Sequence, residues 1–285
     1  MLLRPSPKLN ELVIGIIAKA QEQFDMTIFC VVVLSNHLHM LLDPKDANHM
    51  AQFMGFVLGN ISKEVGNLHD WPGSMFDGPY KSQPILDDES FEARMRYLLA
   101  HGVKEGLVLC PTHWPGVHSA GPLGHGEPLK GRWYDRSTEY EVKRSGKAYH
   151  EHDYSEEKRV VLSPPPVWGD LNEQQLRTKI RHMLRDIRAQ YDHQREVTGQ
   201  AVLGVARVMS ADPHERPEVL KKSPSPWCHA VSVASRRTFR RFYRECVQAY
   251  RDAVELWKAG VEECRFPVGM CLPYGMRRAE AGFPT

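Results

Sequence analysis

A chain of 285 residues, 42% hydrophobic and 25% charged, has the composition of a globular protein with a sizeable core, which excludes disorder throughout. Its 37 Lys and Arg against 35 Asp and Glu leave a net charge of +2, which by itself diagnoses no polyanion partner. No apolar run approaches the roughly 20 residues that cross a bilayer, no long apolar leader opens the chain, and six scattered cysteines form no Cys-x-x-Cys pair. A cytoplasmic protein with reduced thiols and no membrane partner is expected.

Residues 7–24 place Leu12, Ile16, Ile17, Ala20 and Phe24 at helical spacing and predict an amphipathic helix. Residues 27–33, Thr-Ile-Phe-Cys-Val-Val-Val, read as a buried strand. Ser35-Asn36 makes a turn, and 37–42 gives a second short strand that Asp43-Pro44 ends. Asp46 caps a helix over 47–65, closed by Gly66-Asn67. A polar connection rich in Gly and Pro follows, with one short strand over 75–82. Asp88 caps another helix, 89–101, with Gly102 in the stop position. Residues 111–131 are thick with Pro, Gly and His, which sets a boundary between domains 1–120 and 121–285. In the second half, Ser163-Pro164-Pro165-Pro166 is a stiff connector. Helices are expected over 173–198, stopped by Gly199, and 235–259, stopped by Gly260. Cys264 and Cys271 read as core or loop thiols.

The chemistry concentrates in two places. His37-Leu38-His39 lies in a segment that reads as a strand, and period-2 geometry puts both imidazoles on one face, where they can hold a divalent metal. The ordinary alternative is a pair of partly exposed sheet histidines, since the motif is short and the chain has 14 His. In the helix over 89–101, Phe91, Met95, Leu98 and Leu99 form the core stripe, whereas Ala93, Tyr97 and His101 fall on a neighbouring stripe. Four residues turn a helix by about 400°, so Tyr97 and His101 point within about 40° of each other. An interfacial Tyr with a His near a helix C-terminus, where His is favoured, is the plainer reading.

Taken in order, residues 32–42 (Val-Val-Leu-Ser-Asn-His-Leu-His-Met-Leu-Leu), 78–82 (Gly-Pro-Tyr-Lys-Ser), 97–108 (Tyr-Leu-Leu-Ala-His-Gly-Val-Lys-Glu-Gly-Leu-Val) and the Trp114-Pro115 segment that runs to Ser119 resemble the HUH single-tyrosine transposases. The REP-associated tyrosine transposases are the nearest in pattern. The resemblance covers roughly residues 6–120. It implies an α+β fold, a ferredoxin-like antiparallel sheet with helices of the HUH endonuclease type, followed by a mainly helical C-terminal extension. It further implies that His37 and His39 hold Mg²⁺ or Mn²⁺, that His101 completes the metal shell one turn after the tyrosine, and that Tyr97 is the nucleophile. Single-stranded, hairpin-forming DNA would be cut through a covalent 5′-phosphotyrosine, by a homodimer in the bacterial cytoplasm. Two other readings use the same residues: a DNA-hairpin-binding module that has lost cleavage, and a metallohydrolase in which the histidines activate water.

Lys81, Arg94 and Lys104 lie close in sequence to these motifs and are candidate DNA-phosphate contacts, with a solvated charged face as the alternative. In 236–244, Arg-Arg-Thr-Phe-Arg-Arg-Phe-Tyr-Arg, the aromatic residues are expected in a core stripe, with Arg237 and Arg241 turned outward towards DNA.

Overall fold

The computed structural model describes residues 1–146, 148–215, 226–261, 264–267, 270 and 272–273, and shows a mixed α+β chain. Cys271 lies outside the described residues. Two compact units alternate along the sequence: 1–43, 55–79 and 92–222 form the first, and 44–54, 80–91 and 223–285 the second.

In the first unit, α1 (Pro7–Phe24) starts where the Ser6 side chain accepts a hydrogen bond from the Leu9 amide and Pro7 occupies the first turn, and it ends at a left-handed Asp25. Next, β1 (Thr27–Val33) is buried almost throughout because it has neighbours on both edges. On one side it pairs antiparallel with β2 (Leu38–Asp43), in a register that sets Val32 opposite His39 and Val33 opposite Leu38. The Leu34 amide donates to the His37 carbonyl at 2.8 Å, so the connection is a turn over Ser35-Asn36. On its other edge, Val33 N–H donates to the Val117 carbonyl and Ser119 N–H to the Val31 carbonyl. The Ser119 hydroxyl also accepts from the Val31 amide at 2.7 Å. Trp114 clamps the same edge, its indole N–H donating to the Val33 carbonyl at 2.9 Å.

The stretch expected to be a boundary is structured. It holds α5 (Ala120–His125) and the start of β3 (Leu129–Tyr134), after α2 (Ala47–Leu68), α3 (Asp88–Leu99) and α4 (His101–Lys104). Antiparallel to β3 runs β4 (Ser155–Val160), beyond α6 (Arg136–Arg144). α1 packs on both strands of this second sheet. The crossing is close: a Cβ on Gly15 would lie 2.0 Å from the Arg132 carbonyl oxygen, and one on Gly131 would lie 2.4 Å from the Glu11 carbonyl oxygen. α7 (Glu173–Thr198) matches its predicted span, with a reciprocal Asn172/Gln175 cap and a left-handed Gly199. It buries Ile180, Leu184 and Ile187 and packs against α4 and α5.

Three local expectations fail. Residues 75–82 form no strand; a strand needs a hydrogen-bonding edge, and in this region only Ile85 finds one, opposite His229. The cap of α3 is Asp87 rather than Asp88, its carboxylate accepting from the Ser90 amide at 2.8 Å. Gly102 does not stop the chain's helical course, which runs through α4 to a left-handed Gly106.

Among the described residues α8 (Val205–Ser210) is the last helix of the first unit, and in the second unit α9 (Val233–Lys258) begins at a Ser232 cap. Its C-terminal half packs Ala253 with Cys264 and Phe266, joined by Tyr250, Val254, Trp257 and Leu272. Its N-terminal half departs from the expected core stripe: Phe242 and Tyr243 are 59% and 44% exposed.

Candidate metal centre

The tight β1–β2 turn delivers His37 at its exit and His39 two residues later, so both rings rise on one side of β2, with centroids 4.9 Å apart. The third imidazole arrives from the helix. α3 and α4 are joined at Ala100, which keeps αR geometry, and the His101 ring stands 5.0 Å from His37 and 4.7 Å from His39. One nitrogen from each of the three rings lies within 4.8 Å of the others, a grouping able to hold a metal ion.

The hydrogen bonds prepare the donors. With His37 Nδ1–H donating to the Asn36 side-chain oxygen at 2.6 Å, the lone pair of its Nε2 is left towards His101 Nε2, 3.0 Å away. His101 is 4% exposed, and its Nδ1 has no hydrogen-bond partner. All three rings are held neutral, the state in which imidazole binds metal. Burial lowers the His37 pKa against the pull of Glu105. Burial, with His37 and Lys104 alongside, brings His39 to about 4. For His101, burial is again the leading cause, reinforced by His39, His37 and Lys104, and the value falls to about 3.

Tyr97 joins this group. Its ring is 5.2 Å from His101, as the i, i+4 spacing requires, and 6.2 Å from His39. Arg94 and Lys104 lie over the ring, at 5.1 Å and 4.6 Å from its centroid. Those two candidate DNA contacts therefore sit at the tyrosine. Lys81 is exposed in a loop of the second unit, and Arg237 and Arg241 are exposed on α9.

Two residues near the centre were not singled out as site residues from the sequence. Asn36 orients His37, and its place in a turn directly before a histidine was the available signal. His118 is buried at 6% exposure beside β1, bridged to Val32, and its Nδ1 accepts from the Ala120 amide at 3.0 Å. A histidine inside a run of otherwise apolar or small residues, Val117-His118-Ser119-Ala120, gave little to mark it.

No protein-family model, no curated protein and no solved structure matches the chain.

Proposed function

We propose that this chain is a metal-dependent enzyme that cuts and rejoins single-stranded DNA through a covalent 5′-phosphotyrosine on Tyr97, on an HUH-type ferredoxin-like scaffold. The observation that carries the reading is the convergence of three neutral imidazoles with a tyrosine that has two cations against its ring. A tyrosine placed beside an all-histidine group suits phosphoryl transfer better than water activation, which has no use for it.

His37, His39 and His101 would hold the cation. Of the two cations expected, the all-nitrogen donor set suits Mn²⁺ better than Mg²⁺, which demands oxygen ligands, and Zn²⁺ or Co²⁺ would bind more tightly still. When bound, the ion supplies Lewis acidity towards a phosphoryl oxygen. Lys104 and Arg94 attract the phosphate backbone and bring a phosphodiester to the Tyr97 hydroxyl. The phenol gives its proton to solvent, and its oxygen forms a bond to phosphorus as the bond from phosphorus to the 3′ oxygen breaks. That oxygen takes a proton from water and departs as a 3′-hydroxyl. The phosphodiester energy stays in the tyrosyl ester, so a second 3′-hydroxyl can attack it and restore the phenol. The resemblance in motif order alone supports hairpin-forming DNA and a homodimer.

Labelled single-stranded oligonucleotides, hairpins included, incubated with protein and Mn²⁺ or EDTA and run on denaturing gels test this directly. A metal-dependent, denaturant-resistant adduct that is lost in Tyr97→Phe is expected. Hairpin binding with no adduct in either metal would reduce the protein to a binding module, and cleavage that persists in Tyr97→Phe would make it a hydrolase.

A further inference from the structure

Residues 233–244, the N-terminal half of α9, contain five arginines and no acidic residue. At about 100° per residue the five guanidinium groups span an arc of about 140°. Among the described residues, Arg237, Arg240, Arg241 and Arg244 form no ion pair. Beside this arc lies an open cluster of rings. Trp227, 45% exposed, meets Tyr243 edge-on at 5.3 Å, and Tyr243 lies nearly parallel to Phe239 at 6.1 Å. Arg244 is 5.9 Å from the centre of the Trp227 ring. Further along the same helix the equivalent side is covered by Cys264 and Phe266, so the rings are left open only where the arginines gather.

Unpaired cations beside open aromatic faces are the combination that binds single strands: the cations follow the phosphates and the rings stack on bases of any sequence. A bilayer surface instead takes a continuous apolar stripe. Here the open surface is a short cluster of rings, Phe239, Tyr243 and Trp227, set beside the guanidinium arc with Arg244 against the Trp227 ring. We infer that the N-terminal half of α9, together with Trp227, is a stacking surface for single-stranded nucleic acid, with Trp227 and Tyr243 receiving bases and Arg237, Arg240, Arg241 and Arg244 holding the backbone. The inference rests on the single-strand reading of the first unit for its choice of polymer, and needs neither the metal nor Tyr97 chemistry.

The test uses the full chain in EDTA with a fluorescein-labelled oligo-dT, read by anisotropy across a salt series. Trp227→Ala/Tyr243→Ala should weaken binding about tenfold or more, and Trp227→Phe/Tyr243→Phe should recover most of it. Arg237→Gln/Arg241→Gln should flatten the slope of log affinity against log salt by about 1.4, as loss of two phosphate contacts requires. An abasic oligonucleotide should bind wild type and the double-alanine variant alike. Unchanged oligo-dT affinity in the double-alanine variant would overturn the inference. So would equal or better wild-type binding to phosphatidylglycerol vesicles, or an effect of the alanines that appears only as loss of a dimer in sedimentation. Adduct formation by Tyr97 is scored separately, so either reading can fail while the other stands.

Discussion

Protonating His118 requires either opening the fold or leaving an imidazolium in the interior beside β1. Its ring is buried, and burial holds it at about 4 against the pull of the Leu99 carbonyl. In the unfolded chain a histidine titrates near 6.5, so the native state binds fewer protons between these values and stability rises with pH across that window. The contribution is fully present above about pH 6.5 and is lost as pH falls towards 4, amounting to about 3 kcal/mol for a shift of this size. His39 and His101, also depressed, add with the same sign. In EDTA, the urea midpoint of the wild type should therefore drop clearly between pH 7 and pH 5, and His118→Gln should flatten that dependence. Parallel curves for the two proteins would mean that His118 titrates normally in the fold. At the same scale, His39→Ala removes one of three donor rings. Mn²⁺ affinity measured by calorimetry should fall by more than the roughly 10–100-fold that loss of a merely supporting residue costs. An unchanged affinity would place the ion elsewhere.

α1 and β3 meet through glycine. Gly15 lies in mid-helix, where glycine costs helix stability, and it is kept there by contact: a Cβ would drive into the Arg132 carbonyl. Gly15→Ala should destabilise the chain by about 3 kcal/mol, despite the better helix propensity of alanine, because backbone rather than a flexible side chain must move. Urea denaturation checks this, and a neutral or stabilising result would mean that the helix and sheet sit further apart. The same contact shows what sequence can and cannot carry. α1, β1 and α7 were legible because their signals are local: apolar residues at helical spacing over 7–24, a β-branched run over 27–33, a terminal Gly199. β3 and β4 were not, since Leu129–Tyr134 contains a glycine and two cations and Ser155–Val160 is mostly charged. Those strands exist because α1 covers one side of them, a fact stored in residues far apart in sequence. The candidate centre divides likewise. The i, i+2 spacing of His37 and His39 and the i, i+4 spacing of Tyr97 and His101 were readable, whereas the meeting of strand and helix and the burial of His118 beside β1 depend on tertiary packing. The open Phe242 and Tyr243 misled for the opposite reason: helical spacing marks an apolar stripe without saying whether anything covers it.

At the scale of the whole chain, the imidazole group ties the exit of the β1–β2 turn to the helix that carries Tyr97, segments separated by about sixty residues of sequence. An unfolded chain cannot keep three such rings together, so a cation bound there favours the folded state by mass action. At 100 times the dissociation constant this amounts to about 2.7 kcal/mol, and for a unit of this size each kcal/mol raises the melting temperature by about 2–4 °C. A rise of roughly 5–10 °C on adding Mn²⁺ is therefore expected in wild type, and little or none in His39→Ala. Because the ligands belong to the first unit, hydrogen exchange should slow in β1, β2 and α3 to α4. A rise that His39→Ala reproduces would assign the stabilisation to another locus. No rise at saturating Mn²⁺ but a large one with Zn²⁺ would show that these three nitrogens select the softer ion, and the cleavage assay would then be run with Zn²⁺ or Co²⁺.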